Sequence, residues 1–148
     1  MLKKINMKKL YIKNYLKLFA NLNKDNINDF DGLVANDIIF SDPFNNVKGL
    51  NNFKKIFYHM FDNVKQPRFV IIDYNQKKDH VYLKWKMSFY AFKALQIIEG
   101  MSDITINKEG RVQSHIDYWD SLNGLYVKLP FIGLLYKISL RMFKVKIN

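Results

Sequence analysis

The stretch His80-Val81-Tyr82-Leu83-Lys84-Trp85-Lys86-Met87-Ser88-Phe89-Tyr90-Ala91-Phe92 decides the fold. Within it Leu83, Trp85, Met87 and Phe89 alternate with Lys84, Lys86 and Ser88. Successive side chains of a strand point to opposite faces, so the pattern predicts a strand with one buried and one wet face. Toward the C-terminus, residues 96–107 read as a second long strand and 111–120 as a third. Between them Lys108-Glu109-Gly110 forms a hairpin turn, with glycine where a positive φ is wanted. Toward the N-terminus, Pro67 opens an extended stretch over 68–75, and 76–79 is a polar turn.

Further upstream the period changes to that of a helix. Tyr15, Leu18, Phe19 and Leu22 fall at helical spacing and predict a helix over 14–23, with a pattern that can start as early as Met7. Asp25 and Asn26 break it, and a short second helix presents Ile27, Phe30, Leu33 and Val34. Asn36-Asp37 turns the chain into the β-branched run Ile38-Ile39-Phe40-Ser41, which Asp42-Pro43 stops. Residues 45–49 read as loop, and Leu50, Phe53, Ile56, Phe57 and Met60 give a third helix. Three helices followed by a meander of long antiparallel strands predict an α+β domain, with the helices on one face of a curved sheet. The inner face of such a sheet either fills with side chains or encloses a pocket.

Composition narrows the function classes. In 148 residues, 49% are hydrophobic and 16% aromatic, enough for one core and too many for a disordered chain. Cysteine is absent, which excludes disulfide scaffolds, zinc ribbons and thiol nucleophiles. The net charge of +11 resides at the ends: residues 1–24 carry seven lysines and 121–148 five bases, neither with an acid. Only three of the 24 bases are arginine, the side chain suited to phosphate and base edges, so specific nucleic-acid binding is not expected. Residues 1–16 alternate lysine with apolar positions, unlike a secretory signal, and the longest apolar run, 129–136, is too short for a membrane span. A cytoplasmic protein is expected, with residues 1–120 as one domain and 121–148 as a basic tail.

Several stretches share their order and spacing with a known superfamily. They are Leu22-x-x-Asp25-x-Ile27, Asn36-Asp37-Ile38-Ile39-Phe40-Ser41-Asp42-Pro43, Gly49 before a helix, 104–112, and His115-Ile116-Asp117-Tyr118-Trp119-Asp120. In these the chain resembles the nuclear transport factor 2-like superfamily, particularly its SnoaL-like and ketosteroid isomerase-like branches. The resemblance implies a cone: a strongly curved, mainly antiparallel sheet wrapped around three N-terminal helices, with a deep apolar cavity. Enzymes and non-catalytic binding proteins both use this fold, so it locates a site without fixing a reaction.

By the same resemblance Asp42 takes the place of the general base of ketosteroid isomerases, a carboxylate that shuttles a proton beside a ketone. The structural alternative is an Asp-Pro that ends a strand and caps a turn. The oxyanion partners of that reaction are not both present, because Leu18 and Ser102 stand where a tyrosine and an aspartic acid would be. Tyr15 lies one helical turn from Leu18 and could substitute. His115, Asp117 and Trp119 alternate on the last strand and share a face, the cavity side by resemblance. His115 and Asp117 can act as an acid–base pair, or Asp117 can fix His115 in a buried polar cluster. Cavity-facing aspartates serve as acid–base groups in SnoaL-type cyclases. Tyr15, Leu18, Phe40, Phe57, Leu83, Trp85, Met87, Phe89, Ser102, Ile104 and Trp119 are read as core or pocket lining, and Asp120 as a cap at Ser121. His59 and His80 read as surface residues, and no histidine spacing suits a metal, so neither metal nor cofactor is expected.

Beyond Pro130, apolar residues dominate, and Lys137, Arg141 and Lys144 fall on one stripe of a helix. Such a C-terminal amphipathic helix packs on the domain or a partner, or lies on anionic lipid. The expected function is binding of a small hydrophobic, carbonyl-bearing, steroid- or polyketide-like ligand. Acid–base isomerisation, cyclisation or dehydration is the expected chemistry, with Asp42, His115 and Asp117 as proton carriers. The alternative is a non-catalytic carrier or sensor of lipid-like molecules held peripherally at the inner membrane surface. A homodimer is the expected assembly.

Overall fold

The computed structural model describes residues 2–129 and 131–140. Helix α1 (Leu2–Ala20) turns Ile12, Tyr15, Leu16 and Phe19 inward at helical spacing, and Lys9, Lys13 and Lys17 remain exposed on the other faces. The Asn21 amide donates to the Lys17 carbonyl at 2.8 Å and satisfies an open acceptor at the helix end. A 3-10 helix (Ile27–Gly32) then seats Ile27 and Phe30 in the core.

Strand β1 (Val34–Ser41) starts four residues earlier than the β-branched run suggested. Val34, expected on a helix, is taken into the sheet by pairing with Val112, whose amide also donates to the carbonyl of Leu33, just before the strand, at 3.0 Å. Tertiary pairing overrides local pattern here. The expected loop at 45–49 includes a three-residue strand, β2 (Asn46–Lys48), which returns antiparallel along β1. Helix α2 (Leu50–Asn63) buries Phe53 and Phe57. The meander follows as β3 (Lys65–Lys77), β4 (His80–Ala91), β5 (Ala94–Ile106) and β6 (Val112–Trp119).

The six strands form one curved, unclosed sheet in the order β2-β1-β6-β5-β4-β3. All neighbours are antiparallel except β1 and β6, which run parallel. The register places Leu83, Trp85, Met87 and Phe89 opposite Ser102, Gly100, Ile98 and Gln96, and all eight face inward. On β6, Trp119, Asp117 and His115 lie opposite Gly100, Ser102 and Ile104 on that same inner face. The α+β expectation and the inward alternation of the central strands match this architecture.

Aromatic rings knit the helices to the sheet. Phe30 and Phe53, both fully buried, meet edge to face at 5.0 Å, and Phe53 continues to Phe57 at 5.0 Å and to Phe40 at 5.5 Å. Tilted and edge-on contacts of this kind add to the gain from area burial. After β6, the Asp120 carboxylate accepts the Asn123 amide at 3.0 Å and caps a one-turn helix, α3 (Ser121–Gly124). A 3-10 turn (Tyr126–Lys128) and helix α4 (Ile132–Leu140) complete the described chain. Lys128 anchors this segment by donating to the Gln96 side chain at 2.5 Å.

Gly100 is required by packing. A Cβ there would come within 2.4 Å of the Trp85 indole, which also holds a hydrogen bond to Ser102. Gly100→Ala is therefore expected to destabilise the protein by about 1–3 kcal/mol through overpacking. A thermal melt checks this; an unchanged midpoint would show that the indole moves aside at no cost.

Candidate functional site

Five polar side chains from four elements meet in a mainly apolar interior. Tyr15 on α1 is fully buried, and its hydroxyl lies 2.6 Å from His115 Nδ1 on β6. On the other side of the ring, His115 Nε2 lies 2.8 Å from Asp117 Oδ1 and 3.0 Å from Ser102 Oγ. Ser102 donates to Asp117 Oδ1 at 2.5 Å and accepts the Trp85 indole N–H at 2.8 Å.

The protons can be assigned in sequence. Burial, and secondarily the Asp117 charge, hold the Tyr15 phenol well above its usual 10.0, so the hydroxyl keeps its proton and donates it. His115 Nδ1 is then the acceptor, which leaves the ring proton on Nε2, facing Asp117 and Ser102. The indole N–H has no choice but to donate, so the Ser102 hydroxyl is free to donate onward to the carboxylate. Both branches converge on Asp117 Oδ1. Among the described residues, its second oxygen has no hydrogen-bond partner within the protein. No buried side-chain polar atom among the described residues is left unpaired.

The relay borders a hollow lined by Phe19, Phe69, Ile71, Leu83, Trp85, Ser102, His115 and Asp117. Its volume is only ≈ 10 Å³, about that of one water molecule, so the deep apolar cavity implied by the resemblance is not open in this structure. The large rings that fill the concave face, Phe19, Phe69 and Trp85 among them, account for the difference. Phe69, Ile71 and Asp117 are half-buried and form the accessible rim, whereas His115 is only 2% exposed.

The structure brings together His115, Asp117, Ser102, Trp85, Leu83 and Tyr15 from the expected set. Leu18, Phe40, Phe57, Met87, Phe89 and Ile104 are buried in the core without bordering the hollow. Trp119 packs edge-on against Phe44 at 5.3 Å and close to Gly124, where it seats the C-terminal segment. Asp42 lies apart. Its Oδ1 accepts the amides of Phe44 at 2.7 Å and Asn45 at 2.6 Å, and both carboxylate oxygens lie 3.0 Å from the Asn45 side-chain amide. Its carboxylate organises the turn after β1 and does not border the hollow. Lys137 lies exposed on α4, while Arg141 and Lys144 fall outside the described residues.

Phe19, Phe69 and Ile71 also line the hollow, and the sequence pattern does not single them out. Phe69-Val70-Ile71-Ile72 is unbroken by polar residues, so alternation alone does not show which members face inward. Pairing of Phe69 with Met87 and of Ile71 with Trp85 settles it. Among the described residues, no three His, Cys, Asp or Glu side chains converge to hold a metal.

Tyr15→Phe would strand His115 Nδ1 in the core and is expected to cost about 1–3 kcal/mol. The raised phenol value adds a pH signature. Above pH about 10 the unfolded chain releases the Tyr15 proton while the native chain retains it, so stability falls. Denaturant melts of both proteins from neutral to alkaline pH should show the wild-type advantage shrinking there. A constant gap would contradict the assignment of Tyr15 as a retained donor.

The family model of the SnoaL-like domain matches residues 15–115. Comparison with curated protein sequences gives no match. Among solved structures, an LEH-like epoxide hydrolase from M. tuberculosis is similar at 14% identity and TM-score 0.64, covering 93% of this chain and 96% of that one. A protein with a ketosteroid isomerase-like fold from Catenulispora acidiphila DSM 44928, in complex with trimethylamine, is similar at 13% identity and TM-score 0.66, covering 80% and 90%. TerC co-crystallised with polyporic acid is similar at 12% identity and TM-score 0.66, covering 76% and 93%. At such identities the likeness is one of fold. With its family model spanning most of the chain, the protein belongs to the SnoaL-like domain family.

Proposed function

We propose that this protein binds a small, flat, hydrophobic, carbonyl-bearing molecule at the hollow beside Asp117 and transfers protons to and from it. The observation that carries the reading is the convergence of both relay branches on a half-buried carboxylate whose second oxygen is uncommitted. A carboxylate held by two donors on one oxygen, in a hollow otherwise lined mostly by apolar side chains, is suited to general acid–base work. His115 is then a positioning residue, since Tyr15 and the Asp117–Ser102 pair occupy both of its ring nitrogens. Isomerisation, cyclisation and dehydration all need such a group, and none needs a metal.

A hollow of ≈ 10 Å³ must enlarge to take such a ligand. The boundary suited to opening is the seam between Phe19 on α1 and Phe69 on β3, which lie 5.7 Å apart ring to ring. β3 is an edge strand, so it can move outward while only one ladder of strand pairing, that to β4, follows it. The second reading, a carrier without chemistry, shares this pocket and differs only in assigning Asp117 no proton transfer; the exposed α4 favours it. We further propose that a second copy docks on the outer sheet face, where Tyr82, Ile97, Met101 and Tyr118 are exposed.

The test is a thermal-shift and turnover screen of flat aromatic carbonyl compounds, beginning with polyporic acid, on wild type and Asp117→Asn. The asparagine keeps an acceptor for Ser102 and His115 but cannot carry the proton. Binding should survive, and turnover should fall by about 10²–10⁴-fold. Unchanged turnover would remove the enzymatic reading, and the absence of any stabilising compound would remove the ligand reading.

A further inference from the structure

Helix α4 presents two unlike faces. Gly133 is buried and packs so closely on the preceding 3-10 turn that a Cβ would come within 2.2 Å of the Val127 carbonyl oxygen. Tyr136 and Leu140, on the same side of the helix, are half-buried. On the opposite side Phe131 at the helix start is 82% exposed, Leu134 62%, Leu135 69% and Ile138 51%. Leu134, Leu135 and Ile138 share one side of the helix, an apolar stripe held outward by the glycine contact, with the exposed Phe131 immediately before the first turn. Lys137 flanks the stripe, and residues 121–148 contain five bases and no acid.

From this we infer that the outward face of α4 is a docking surface for an anionic lipid bilayer. The apolar stripe would enter the headgroup–acyl boundary, with Lys137 extending its ammonium toward the lipid headgroups. Charge favours lipid over a second copy of the chain. A two-fold contact through this stripe would bring the acid-free basic segments of both copies together, so that like charges oppose association. An anionic membrane supplies the missing counter-charge. The inference stands apart from the proposed chemistry, because none of these residues borders the hollow.

The experiment is co-sedimentation of the full chain with vesicles of phosphatidylcholine alone and of phosphatidylcholine mixed with phosphatidylserine. The chain should partition into the mixed vesicles, less so as salt is added, and poorly into the neutral ones. Leu134→Glu combined with Leu135→Glu should weaken binding by at least about tenfold. Lys137→Gln should weaken it by roughly fivefold or less, as expected for one basic residue near the surface. All three positions are exposed, and thermal melts establish that the variants fold; the salt and headgroup dependence of the wild type carries the test on its own. Equal binding to both vesicle types would overturn the inference, as would no binding to either. Absence of vesicle binding together with a lower oligomeric mass of the double variant in sedimentation equilibrium would assign the stripe to a second copy instead.

Discussion

A hydroxyl on the first helix and an imidazole on the last strand, 100 residues apart, meet at 2.6 Å, and the interior of the protein is arranged around that bond. Tyr15 is fully buried, and burial together with the Asp117 charge favours its protonated form, so its hydroxyl needs an acceptor. His115 supplies one only if its other nitrogen carries the proton, and that proton in turn needs Asp117 or Ser102. The chain of requirements ends at the rim of the hollow, where the carboxylate can meet solvent. Each buried polar group is thereby satisfied, and the orientation of α1 against the sheet is specified by more than nonpolar contact.

This arrangement explains why an apolar core retains a charged group. A buried histidine–aspartate pair is a weak stabiliser by itself, because desolvation offsets most of the attraction. Here the carboxylate is only partly withdrawn from water, with 17% of its side chain exposed, and the oxygen that faces His115 accepts one further hydrogen bond, from Ser102. Phe19, Ile71 and Leu83 line the same hollow as this carboxylate. On the proposed reading, this carboxylate is the group that exchanges protons with the ligand.

Much of the fold was legible because strand alternation is a local property. Leu83, Trp85, Met87 and Phe89 declare their face without reference to anything distant, and His115 and Asp117 declare theirs in the same way. Partners were harder to read. Nothing local distinguishes Tyr15 from any other apolar-face residue of a helix, and its bond to His115 depends on the final packing angle. Asp42 illustrates the opposite problem: an Asp before Pro serves equally well as a base or as a turn cap, and three donors from residues 44–45 make it the latter in this structure. The size of the hollow was illegible in principle. A pattern of inward positions states which side chains point inside, while their summed volume decides whether space remains.

The most direct measurement is the ¹⁵N NMR spectrum of the His115 imidazole at neutral pH, read for which ring nitrogen bears the proton. The account requires a protonated Nε2 and a bare, hydrogen-bonded Nδ1 that loses its bond in Tyr15→Phe. A proton on Nδ1 with Nε2 bare would reverse the direction of the relay. Asp117 would then lack its histidine donor, and the account of the site would fail.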